Sequence, residues 1–252
     1  MAHVRVEGKV EGVRAASQIV ARALAELGRA VRPGITTAEL DRIAEQVIRD
    51  HGARPAFKGY RGFPASICPS VNEEVVHGIP GPRALEEGDI VGIDVGAELN
   101  GWYGDAARTF AVGATSEEAS RLMRVTEQAL ERGLAQARAG NRVGDISHAV
   151  QSFVEQHGFS VVRDLVGHGI GSEMHEEPAV PNFGPAGKGP RLLAGQLLAI
   201  EPMVNAGGPA VVTRPDGWTV ATKDGSWSAH FEHTVAVGPD GPEILSALPD
   251  ER

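Results

Sequence analysis

Apolar and polar positions alternate most clearly between residues 89 and 113. Ile90, Val91, Ile93 and Val95 mark one strand, and Thr109, Phe110, Ala111 and Val112 mark another. Asn100-Gly101 lies between them, and both positions tolerate positive φ, so a two-residue hairpin turn is predicted there. That turn pairs Asp94 with Ala107 and places Asp105 two residues away on the same face. The two carboxylates are then diagonal neighbours, about 7–8 Å apart at the backbone. Acids on one apolar face repel each other and resist desolvation. A metal ion, or a pair of them, is the economical counter-charge.

The flanking segments read as helices and short strands. Val6, Val10, Val13, Val20, Leu24 and Leu27 recur at helical spacing over residues 6–28, with Gly28 as the expected stop. Leu40, Ile43, Val47 and Ile48 define a second helix over 36–51, capped by Thr36 or Thr37 and ended by Gly52. Residues 54–82 are rich in Gly, Pro and aromatics, with short strands expected at 66–68 and 74–77. After the acidic hairpin the plan restarts. Helices are expected over 116–138, capped by Thr115 or Ser116, and over 143–157. Strands follow at 196–204 and 231–237, separated by a polar loop, and the chain beyond Gly238 reads as a short extension.

This restart is a faint internal repeat, the kind of signal that sets a fold when present. Residues 32–52 align with 138–158, sharing Arg, Gly and a final His-Gly. Residues 88–94 (GDIVGID) align with 195–201 (GQLLAIE), which places Asp94 on Glu201. Residues 109–113 (TFAVG) align with 234–238 (TVAVG), with Asp105 and Glu232 just upstream at the same strand parity. Two αβ halves, about 6–113 and 116–238, are expected within one catalytic domain spanning 1–252, with acids converging at the seam.

Composition narrows the class. The chain of 252 residues is 42% hydrophobic, enough for a real core, and its net charge of −9 argues against a nucleic-acid footprint. One cysteine, Cys68, excludes an internal disulfide framework and fits a reducing compartment. The N-terminal residues lack an apolar h-region and no apolar run is long enough to span a bilayer, so a soluble cytoplasmic protein is expected.

The candidate chemistry is the acid set Asp94, Asp105, Glu201 and Glu232, joined by His168 from G-H-G-I-G. Taken singly, an acid near a hairpin is a turn residue and a histidine among glycines is structural. Their company argues otherwise, because acids embedded in apolar strands are expensive unless paired. Arg108 is the one basic candidate partner. Four carboxylates with one imidazole suit two metal ions, with hard donors favouring Mn²⁺, Fe²⁺ or Co²⁺ and allowing Zn²⁺. No HExxH motif occurs, and Ser172 replaces the third glycine of a dinucleotide fingerprint.

These residues sit in motifs that resemble methionine aminopeptidase of the type 1, bacterial-like form. The motifs are NEEVVHGIP (72–80), IDVG (93–96) with Gly104-Asp105, GHGIGSEMHEEP (167–178), EPMVNAG (201–207) and FEHT (231–234). They follow the family order over nearly the whole chain. The resemblance implies an α+β pita-bread fold of two pseudo-symmetric halves, with a curved antiparallel sheet and helices on its outer face. It also implies removal of the initiator methionine from nascent proteins whose second residue is small. Asp94, Asp105, His168, Glu201 and Glu232 would be the metal ligands, with Asp105 and Glu232 bridging. A metal-bridging hydroxide would attack the first peptide carbonyl and Glu201 would shuttle the proton. His77 would contact the scissile amide and His175 the oxyanion.

Further implications are a methionine pocket drawn from Tyr60, Phe63, Cys68, Met174, Phe183 and Trp218, with Cys68 a wall rather than a nucleophile. Phe57, Phe63 and Met174 stand where relatives often have Cys, Tyr and Phe. Asn72, Glu74 and Ser228 match a monovalent-cation site. A monomer is expected, acting on nascent-chain N-termini, with the ribosome as a candidate partner and no Cys/His-rich docking domain. Two other readings share this fold: an X-Pro peptidase with a different pocket, and a catalytically silent binding protein that would have lost ligands.

Overall fold

The computed structural model describes residues 2–247, with side chains from Gly8 onward. Val6, expected on a buried stripe, lies outside the residues whose side chains are described, and residues 248–252 of the C-terminal extension are likewise outside. Helix α1 (Ala2–Ala30) is followed by α2 (Thr37–Asp50). Thr36 caps α2 through a capping box with Glu39, each side chain bonded to the other's backbone N–H, which satisfies two otherwise orphaned donors. Gly28 does not stop α1. A Cβ there would meet the Phe110 ring at 2.9 Å, so the glycine serves close packing rather than termination.

These helices cover a four-stranded antiparallel sheet of β1 (Arg54–Pro55), β2 (Ile67–Val71), β4 (Ile90–Leu99) and β5 (Trp102–Ala111). The β4–β5 hairpin has the register expected from its turn. Asn100 and Gly101 have φ of 53° and 84°, Asp94 pairs with Ala107, and Asp105 pairs with Gly96. Strand β3 (Glu74–Val76) leaves the sheet, and His77 follows it at φ 60°, outside the strand expected to contain it. Val20, Leu24, Leu27, Leu40, Ile48 and Ile93 belong to one continuous core.

The second helix pair is α3 (Glu117–Leu134), capped by Ser116, and α4 (Val143–Gln156). Helix α3 is shorter than expected because Gln136 bonds back to Gly133, tightening the chain into a turn before Arg138. Strand β6 (Ser160–Val161) follows, then β7 (Gly167–Gly169) and β8 (Glu176–Val180). The expected strand at 196–204 is two strands, β9 (Leu197–Ile200) and β10 (Met203–Asn205). Pro202 has no N–H to continue the ladder and restricts the residue before it, so the strand breaks at Glu201. The expected polar loop contains a hairpin of β11 (Val211–Thr213) and β12 (Val220–Thr222), the latter pairing with β3.

The strand expected at 231–237 is shorter, β14 (His233–Val237), and a separate strand that was not expected, β13 (Ser228–His230), precedes it. Between them Glu232 N–H donates to Ala107 C=O at 2.8 Å, turning the chain onto the hairpin of the first half. The segment after Gly238 is more than an extension. Its β15 (Pro242–Ile244) adds an edge strand to β14 and completes a five-stranded sheet in the order β15-β14-β9-β7-β8. Leu122, Ile146, Val150, Leu198 and Ile200 join the core that this sheet shares with α3 and α4.

Helix α1 lies directly on β5 at Gly104, where a Cβ would stand 2.5 Å from Ser17 N and 2.7 Å from its Cα. Backbone cannot yield as a flexible side chain can. Gly104→Ala should therefore destabilise the protein by about 1–3 kcal/mol, read as a lower midpoint in urea denaturation.

Candidate metal centre

The hairpin, the β9–β10 break and the β13–β14 break bring the acids to one point. His168 comes from β7, paired opposite Ala199. Its Nε2 lies 3.8 Å from Asp105 Oδ2 and 3.6 Å from Glu201 Oε1. Its Nδ1 is 2.8 Å from Gly169 C=O, an acceptor, so Nδ1 carries the proton and Nε2 turns a lone pair toward the acids. Ligand atoms of Asp105, His168 and Glu232 all lie within 4.8 Å of one another.

Burial makes this cluster electrostatically incomplete. Asp105 is 4% exposed and Glu232 is 2% exposed. Desolvation, then repulsion from the neighbouring acids, holds both carboxyls well above the usual range. Burial pushes Asp94 up to about 6 and Glu201 up to about 7. Asp94 Oδ1, Asp105 Oδ1 and Glu232 Oε1 are buried without a hydrogen-bond partner. Strand alternation puts Arg108 on the opposite face of β5 from Asp105, where it lines an outer cavity with Glu127, Glu131 and Glu232. Orphaned carboxylate oxygens around an oriented imidazole fit a divalent cation.

A cavity of about 160 Å³ opens onto the cluster. Phe57, Tyr60, Phe63, Cys68 and Trp218 line it, with Trp218 delivered by the β11–β12 hairpin and edge-on to Phe63 at 5.2 Å between ring centres. Met174 is buried in the same apolar cluster. Phe183, also expected in the pocket, is elsewhere. It follows β8 toward the outer side and packs on the core of the second half beneath the Arg163 guanidinium. Cys68 pairs with Asp94 across the strands, and burial followed by the charges of Asp94 and Asp105 pushes its thiol up, as suits a wall.

His77 and His175 reach the same cavity. Burial holds each down to about 4, assisted by His230 for His77 and by His168 first for His175, so both are neutral at pH 7. Tyr60 Oη lies 2.9 Å from His175 Nδ1. Asn72 and Ser228 meet where Ser228 N–H donates to Asn72 C=O at 2.8 Å. The Glu74 carboxylate accepts from Val71 N–H at 2.8 Å and pairs with Arg214 at 2.8 Å.

Two groups of site residues were not anticipated. His230 is 3% exposed, and its Nε2 has no partner. It lies two residues before Glu232 in the sequence, and that parity was the available signal. Thr109 and Thr234 were read only as strand residues, yet their hydroxyls bond across the seam.

The raised carboxyls give a pH signature to the metal-free protein. An acid whose folded value exceeds its unfolded value, near 4, binds more protons when folded, so stability present at low pH is lost as pH rises through about 6 to 7. His77 and His175, held down to about 4, titrate the other way, so the carboxyl contribution is read as a difference: between pH 5 and pH 7.5 the urea midpoint of metal-free wild type should fall relative to that of metal-free Glu201→Gln.

Known proteins place this centre in context. The family described as metallopeptidase family M24 matches residues 11–239. A methionine aminopeptidase of Clostridium perfringens is 57% identical over 96% of this chain and 97% of its own length. Methionine aminopeptidase 1 of Bacillus subtilis is 55% identical over 94% of this chain and 95% of its own. The crystal structure of a Thermotoga maritima methionine aminopeptidase superposes with a TM-score of 0.94 at 46% identity, covering 96% of this chain and 97% of that one. An X-Pro aminopeptidase from the same organism reaches 0.75 at 26% identity, with 62% of its length covered. The fold is the pita-bread fold of these peptidases, and the chain belongs to metallopeptidase family M24, among its methionine aminopeptidases.

Proposed function

We propose that this metal-dependent aminopeptidase removes the N-terminal methionine from nascent chains whose second residue is small. One observation carries the reading: buried, unpartnered carboxylate oxygens open directly into a small apolar cavity flanked by two neutral histidines. Asp94, Asp105, His168, Glu201 and Glu232 would hold two divalent cations drawn from Mn²⁺, Co²⁺, Fe²⁺ or Zn²⁺, with Asp105 and Glu232 shared. Bound there, such ions supply Lewis acidity and a water acidified toward neutral pH.

The chain's own residues then divide the work. Phe63, Cys68 and Trp218 enclose the methionine side chain with Tyr60 and Met174 beside them, and the cavity's small size selects a terminal residue. The acids at its floor read the free α-amino group. Glu201, whose second oxygen faces away from His168, is the carboxylate placed to carry a proton to the leaving amine. His77 faces the scissile amide. His175, whose Nδ1 is engaged by the Tyr60 hydroxyl, offers Nε2–H to the developing oxyanion. Asn72, Glu74 and Ser228 would hold a monovalent cation, two of them through backbone carbonyls. We place the two pseudo-repeats, about 6–113 and 116–238, in one catalytic domain of a cytoplasmic monomer that meets its substrate near the ribosome. No helix among the described residues is long and apolar enough to cross a membrane.

Loaded with Mn²⁺ or Co²⁺, the protein should release methionine from Met-Ala-Ser and leave Met-Lys-Ser largely intact in a free-amino-acid assay. Faster cleavage of Ala-Pro-Ser under the same conditions would overturn the reading. Asp105→Asn should lose bound metal by elemental analysis together with activity. His175→Ala should retain metal while kcat falls about 100-fold, the usual consequence of removing one oxyanion donor.

A further inference from the structure

The function proposed above gives His230 no task, yet the fold goes to some length to place it. It ends β13, and its peptide is clamped from both sides by one hydroxyl of the first half. His230 N–H donates to Thr109 Oγ1 at 2.9 Å, and Thr109 Oγ1 donates to His230 C=O at 2.9 Å. A glycine stands opposite on the acid-bearing strand. A Cβ at Gly92, on the same face of β4 as Asp94, would sit 3.8 Å from His230 Cβ. The imidazole is therefore led inward, toward the acids rather than away from them.

Its Nε2 is buried, has no partner and lies 3.7 Å from Glu201 Oε2. The other oxygen of the same carboxylate, Oε1, lies 3.6 Å from His168 Nε2. The two oxygens of Glu201 thus face different histidines. His168 belongs with Asp105 and Glu232 to the group whose ligand atoms converge, and His230 does not. An imidazole in that place is badly put to be a ligand and well put to hold one.

We propose that His230 is a positioning residue for Glu201: its Nε2–H donates to Oε2, which fixes the plane of the carboxylate and leaves Oε1 for the cation. The gap of 3.7 Å exceeds a hydrogen bond, and a small rotation of the carboxylate closes it. Partners that orient a metal-binding side chain from behind commonly govern affinity as strongly as they govern rate. The inference rests on the metal-centre reading, and binding measurements separate the two.

Isothermal titration of metal-free protein with Mn²⁺ is the test. Wild-type binding supports the metal centre, and its absence would remove both the centre and this inference. His230→Leu, which fills the space without a donor, should weaken Mn²⁺ binding about 10-fold or more, whereas His230→Gln, which keeps a neutral N–H, should stay within about threefold. In the metal-loaded enzymes kcat should fall for H230L with KM little changed, and H230Q should restore it. Wild-type Mn²⁺ affinity in H230L would overturn the proposal. Should H230L fail to fold, ¹⁵N-histidine NMR of the Zn²⁺-loaded wild type decides, with the His230 signal assigned by its loss in H230Q. A proton on Nε2 is expected, and a bare Nε2 would sink the idea.

Discussion

The site depends on a few hydrogen bonds that cross from one half of the molecule to the other. Thr234 Oγ1 donates to Asp105 C=O at 2.7 Å and accepts from Asp105 N–H at 3.2 Å. Thr109 grips His230 in the same two-way fashion, and Glu232 N–H closes on Ala107 C=O. Each such bond adds only about 1 kcal/mol to stability. Their larger effect is geometric. An acid on either half has its backbone pinned by the other half, so the carboxylates cannot separate without the seam opening.

That pinning sets up an electrostatic problem the polypeptide does not solve alone. Carboxylates held together in a dry interior repel each other and lose hydration. The structure answers with raised proton affinity at all four acids and with a histidine whose lone pair is aimed among them. Protons and cations are therefore interchangeable occupants of one site. A cation that binds only the folded chain draws the folding equilibrium toward it by mass action, and its loss leaves a strained but protonatable centre.

Legibility in the sequence followed the range of each interaction. The hairpin register was readable because Asn100-Gly101 fixes it locally; the α2 cap was narrowed only to Thr36 or Thr37, and Glu39, three residues on, completes the box at Thr36. The acids were readable because charge inside an apolar strand is anomalous wherever the partner lies. The splitting of the expected strand at 196–204 was not, although Pro202 hinted at it. Strand β13 was not legible either, because the turn at Glu232 that sets it apart from β14 is held by an acceptor on Ala107, more than a hundred residues away. His230 fell just outside the expected strand at 231–237, and only Thr109 and Gly92, both more than a hundred residues away, give it a place. Phe183 shares its aromatic character with the pocket residues, and only the direction taken after β8 separates it from them. The edge strand β15 carried too short a pattern to distinguish from a tail.

That last strand bears on the order in which the molecule is made. Ser246 Oγ accepts Thr234 N–H at 3.0 Å, and Gln18 of α1 donates to Leu245 C=O at 2.7 Å and Ala247 C=O at 2.8 Å. Thr234 is the residue that grips Asp105. The first acids are synthesised early, the last ones late, and the segment that braces their contact comes later still. A chain emerging from the ribosome therefore carries Asp94 and Asp105 through about half of its synthesis before Glu232 is added. The seam has its full set of bonds only when residues near 247 have folded back onto the first helix, so the last-made stretch of the described chain completes the brace on the first-made acids.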